Sequence, residues 1–81
     1  NQFNPACRNM TAVRIIEREE AGYAEIVFLE SAQFYRLPKA HRAFDSIIAT
    51  LHDALAKRRP VEVRLASPAS NIIEDVKPAN L

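Results

Sequence analysis

Few residues in this chain are of types that do chemistry. Cys7 is the single cysteine and so has no intrachain disulfide partner. His41 and His52 stand eleven positions apart, about 16 Å if they share a helix, too far to hold one metal ion. A thiol or hydroxyl nucleophile needs a base placed beside it. No Cys–His spacing suggests such a pair, and Ser31, Ser46, Ser67 and Ser70 lie outside any nucleophile-elbow pattern. One glycine in the whole chain excludes a glycine-rich phosphate loop. Glu19–Glu20 and Glu74–Asp75 are adjacent carboxylates, a pattern that reads as solvated turn or strand surface rather than an acid–base pair. Lys57, Arg58 and Arg59 form a basic run. With Tyr23, Phe34 and Tyr35 as stacking platforms it could serve single-stranded nucleic acid. The same three residues are equally explained as cations at the negative end of a helix. On these residues alone the expectation is a protein that is not an enzyme, with no catalytic residue, no cofactor and no metal site.

Composition narrows the alternatives. The chain has 81 residues and a formal net charge of +1, against the marked basic excess that phosphate-driven binders carry. No apolar run approaches the roughly 20 residues of a membrane span. A chain this short buries roughly 60% of the surface its unfolded form exposes, so association with copies of itself would add useful burial. Asn1 in place of Met is compatible with a removed leader, a fragment, or a natural start at Met10.

The element that must organise the rest is His41–Lys57. Phe44, Ile47, Ile48, Leu51 and Leu55 recur at helical spacing and form one apolar stripe. The helix is expected to begin between Pro38 and His41 and to stop near Lys57, where three cations and then Pro60 follow. Strands flank it. Residues 1–10 read as an irregular arm. Thr11–Arg18 is rich in β-branched residues, with Val13 and Ile15 on one face and Ala12, Arg14 and Ile16 on the other. A hairpin turn with positive φ is expected at Gly22. In Tyr23–Glu30, Ala24, Ile26 and Phe28 share a face, and the opposite face is also apolar in its second half. That suits a barrel, or a sheet with another subunit behind it. Gln33–Leu37, Val61–Leu65 and Ile72–Val76 complete the strands, and residues 77–81 read as a tail.

The expected order over residues 11–76 is β-β-β-α-β-β in a single domain, 1–81. The fold class is mainly β (α+β), a small five-stranded OB-fold-like barrel with one helix between strands 3 and 4. A flat antiparallel sheet with the helix across one face is the alternative.

The run Phe44-x-x-Ile47-Ile48-x-x-Leu51-x-x-Ala54-Leu55, followed by Pro60-Val61-x-Val63, resembles the helix-to-strand segment of bacterial AB5 toxin B subunits of the subtilase-cytotoxin and typhoid-toxin type. Cys7-x-x-Met10-Thr11-Ala12-Val13 is similar to their opening. The resemblance implies an exported OB-fold, secreted or periplasmic, that forms a ring of five. It also implies a site for sialylated glycans, with Thr11 matching a sugar-contacting serine, and a docking platform for an A-subunit-like protein. In such a ring the helix side bearing Arg42, Ser46, Ala49, Asp53 and Ala56 would face a neighbour or the pore. The expected function is thus a non-enzymatic binding module. An OB-fold module for single-stranded nucleic acid is the alternative.

Overall fold

The computed structural model describes residues 6–79. Seven elements run in the order β1 (Cys7–Met10), β2 (Ala12–Glu17), β3 (Tyr23–Phe28), β4 (Phe34–Pro38), α1 (Phe44–Lys57), β5 (Val61–Leu65) and β6 (Ile73–Pro78). The strands form two antiparallel three-stranded sheets, β1-β5-β6 and β2-β3-β4. The expected closed five-stranded barrel is therefore replaced by two separate sheets, within the same mainly β, α+β class. Two features account for the difference.

The first is a corner at Thr11. The apolar run expected as one strand begins only after this residue, and Cys7–Met10, expected as part of an irregular arm, is a strand in the other sheet. Cys7–Met10 pairs with Arg64–Val61, whereas Ala12–Glu17 pairs with Phe28–Ala24. The chain thus changes sheets through one residue. Both its neighbours, Met10 and Ala12, are buried. The second is the seam on the far side. There β4 and the residues leading into β6 meet through a parallel bridge between Arg36 and Ile72, with the Arg36 N–H donating to the Asn71 carbonyl at 2.8 Å and the Asn71 side-chain amide to the Phe34 carbonyl at 3.3 Å.

A bulge re-aims the first turn of β2. Ala12 faces Phe28 and Arg14 faces Val27, so Val13 is the extra residue. The strict alternation expected of Val13 and Ile15 fails for that reason. Ala12 and Ile15 turn to the core, while Val13 is 48% exposed. In β3 and β4 the alternation is regular: Ala24, Ile26 and Phe28 are buried, as are Tyr35 and Leu37. Phe28 and Tyr35 meet edge to face with ring centroids 5.4 Å apart.

The helix presents its expected stripe with a small rotation. Ile47, Leu51 and Ala54 are buried, and Phe44 and Ile48 pack at the margin. Burying a side chain such as Leu51 stabilises the fold by about 1.5–3 kcal/mol. The helix starts at Phe44, later than expected, because residues 39–43 form turns after Pro38. No side chain caps its first turn. His41 tethers the approach instead: its Nδ1 accepts the Ala43 N–H at 3.0 Å. That leaves Nε2 as the protonated nitrogen, donating to the Glu74 carbonyl on β6 at 2.7 Å. At the other end Arg58 adopts the left-handed conformation (φ 55°), and the Arg58 and Arg59 N–H groups donate back to Leu55 and Ala54. This pairing closes the helix as a Schellman motif with arginine where glycine is usual. Gly22 does not take positive φ. The β2–β3 turn is held without it, by Ala21 N–H to Arg18 carbonyl at 3.2 Å.

Candidate functional site

Thr11 is engaged at the corner. Its N–H donates to Glu30 Oε1 at 2.7 Å and its hydroxyl to Glu30 Oε2 at 2.9 Å. Burial pushes the Glu30 carboxyl up, but the two bonds from Thr11 and one from its own N–H outweigh this and hold it below the usual glutamate value. A hydroxyl already spent on a carboxylate is poorly placed to greet the acid group of a sugar.

Of the expected helix-face residues, Ser46, Ala49, Asp53 and Ala56 are exposed on α1, and Arg42 precedes the helix in a turn. Asp53 pairs with Lys57 at 3.2 Å. These two residues, with Thr50, Arg59, Pro60 and Pro78, line a hollow of about 470 Å³ between α1 and the ends of β5 and β6.

The chemistry-bearing residues are dispersed. Cys7 lines a small hollow with Glu62, Arg64, Asp75 and Lys77, and neither histidine is among them. His41 is committed to the helix start, and His52 Nε2 lies 2.9 Å from Glu17 Oε2. Glu19 and Glu20 are exposed in a turn. Glu74 faces Arg64 at 4.0 Å, while Asp75 accepts the Val76 N–H. Of the candidate stacking aromatics, Tyr35 is buried, and the Tyr23 ring carries the Arg36 guanidinium 4.5 Å from its centroid. Only Phe34, 50% exposed, remains open. Among the described residues no three metal-ligating side chains come together, and no helix is long and apolar enough to cross a membrane.

A third hollow, about 480 Å³, lies beside the Thr11 corner and is lined by Thr11, Ala12, Val13, Leu29, Leu55 and Arg58. The spacing of these residues gave no hint of it, because α1, β2 and the β3–β4 turn contribute from distant stretches. The one local signal was Arg58, a non-glycine residue directly before Arg59-Pro60 at a helix end.

No family model and no curated protein matches the chain. Among solved structures, the chain is similar to pro-protein-glutaminase, with a TM-score of 0.75 and 28% identity over 93% of this chain and 26% of that one. It is also similar to a mutant of pro-protein-glutaminase, with a TM-score of 0.73 and 29% identity over 89% of this chain and 24% of that one. The chain spans about a quarter of the length of the structures it matches. This likeness to part of an enzyme precursor overturns the expectation of a protein that is not an enzyme. It likewise conflicts with a purely non-enzymatic binding module.

Proposed function

We propose that this chain is a folded unit of an enzyme precursor of the protein-glutaminase type, and that it packs on the catalytic part and holds it in the pro-form. The observation that carries this is the likeness over nearly the whole chain to about a quarter of a pro-enzyme. The chemistry of the chain itself supports the choice of quarter. Hydrolysing a glutamine side-chain amide calls for a nucleophile with a base in hydrogen-bond reach. The described residues bring Cys7 near carboxylates and cations and keep both histidines elsewhere. The nucleophile–base pair is therefore assigned to the remainder of such a precursor, and this unit supplies shape and contact.

Adding the 81-residue chain in rising amounts to a mature protein-glutaminase tests the reading. Ammonia release from a glutamine-containing protein is followed throughout. Inhibition that saturates near one chain per enzyme is expected. Unchanged release at a large excess of chain would refute it, and release by the chain alone would move the chemistry into this unit.

A further inference from the structure

The large hydrophobic residues that are exposed among the described ones are three: Val13, Leu29 and Phe34. All lie at one end of sheet β2-β3-β4. Arg14, Val27 and Phe34 stand in one cross-strand row and so share the outward face. Leu29 follows Val27 and is tied to the corner by its N–H to the Thr11 carbonyl at 2.8 Å. The β2 bulge adds Val13 to that face; without the extra residue, alternation would not place it beside Arg14.

The charges around this patch are uneven. Toward the other end of the sheet they are satisfied internally, by Arg18 on Glu25 and by Arg36 on Tyr23. Beside the patch, Glu30 is occupied by Thr11. Arg14 and Arg58 have no carboxylate within ion-pairing distance among the described residues, where the ion pairs engage Arg18, His52, Lys57 and Arg64. Arg58 also holds a left-handed backbone conformation unusual for a non-glycine residue, and it lines the hollow shared by Val13, Leu29 and Leu55.

We propose that this end of the sheet, centred on Val13, Leu29 and Phe34 with Arg14 and Arg58 at its rim, is the surface that seats on the catalytic part of the precursor. This inference rests on the function proposed above and adds the face. The complementary surface is apolar at its centre and carries carboxylates opposite the two arginines. Exposed apolar residues grouped with unsatisfied like charges are the composition of an interface core and rim, in which desolvated apolar contacts supply most of the affinity and the charges set orientation.

The test compares three chains against the same mature protein-glutaminase: the unaltered chain, Leu29→Ser combined with Phe34→Ser, and Arg58→Glu. Thermal melts confirm that each is folded, and Arg42→Glu serves as a charge reversal away from the patch. The expected result is at least a tenfold loss of inhibition for the serine pair and for Arg58→Glu, with Arg42→Glu unchanged. Arg58→Glu should also lose most of the salt dependence of inhibition. Equal inhibition by folded patch variants and the unaltered chain overturns the face while leaving the proposed function standing. No inhibition by the unaltered chain overturns both. Light scattering that shows a dimer dissolved by the serine pair would assign the patch to a second copy instead, and would also overturn the inference.

Discussion

Glu30 grips Thr11 with both carboxylate oxygens, taking the backbone N–H at 2.7 Å and the hydroxyl at 2.9 Å, across nineteen residues of sequence. The clamp fixes the corner at which the chain leaves one sheet for the other. Thr11→Val removes the hydroxyl bond and should cost about 0.5–1.5 kcal/mol by urea denaturation, at the low end because the pair is exposed to solvent. The acid dependence follows in sign. A carboxyl lowered on folding contributes stability that is whole above the ordinary glutamate range and is lost as pH falls through its lowered value. The unaltered chain should therefore lose stability in that acidic window. Glu30→Gln should lose less there, which urea midpoints at neutral and acidic pH will compare.

Arg58 and Gly22 carry the residue types that each other's backbone would suit. Arg58 sits at φ 55° and Gly22 at no positive φ, with nothing within 4 Å of a Cβ added there. Arg58→Gly should raise stability by about 0.5–1 kcal/mol, roughly 2–8 °C in melting temperature for a chain of this size. Gly22→Ala should add about 0.4–1 kcal/mol by restricting the unfolded chain. Differential scanning calorimetry of the two variants and their combination measures both effects and whether they add.

The core should answer to truncation in the usual order. Leu51, fully buried on α1, should cost about 2–5 kcal/mol as Leu51→Ala. Tyr35→Phe keeps the ring on Phe28 and loses only the hydroxyl bond to Ser31 Oγ at 3.0 Å, for about 0.5–1.5 kcal/mol. Chemical denaturation with a common slope separates the two.

The two histidines differ in weight. His52 pairs with Glu17 between two exposed side chains, so His52→Ala should change stability by less than about 0.5 kcal/mol. His41 ties the start of α1 to β6 through both ring nitrogens, and His41→Ala should cost about 1–2 kcal/mol. Hydrogen exchange should show the loss at the first turn of α1, where faster amide exchange in His41→Ala alone is expected.

The sequence carried the helix well. The spacing of Ile47 and Leu51 and the stop at Arg59-Pro60 are local signals, and the packed stripe follows them. Alternation in Ala24–Phe28 and in Val61–Leu65 was as clear, since both strands have one face on the core. The corner at Thr11 left no local mark. No glycine or proline breaks Met10-Thr11-Ala12, and what bends the chain there is a carboxylate nineteen residues on. Cys7-Arg8-Asn9-Met10 has neither alternation nor β-branched residues. It is a strand because β5 offers it an edge, which is a property of the assembled sheet. A closed barrel is the expectation because element order alone does not say how many hydrogen bonds form where the last strand meets β4. The hollow beside Arg58 went unseen for a similar reason, since three elements from separate stretches build it.

The joint at Thr11 is a single residue between two strands whose adjoining side chains both point inward. A deletion there, or a second residue, would roll Met10 or Ala12 toward water and carry a whole strand's facing with it. Natural length variation and engineered insertions should therefore be barred from this position. They should gather instead in the turns between Arg18 and Ala21 and between Ser67 and Ser70, where added chain leaves the strand registers as they are.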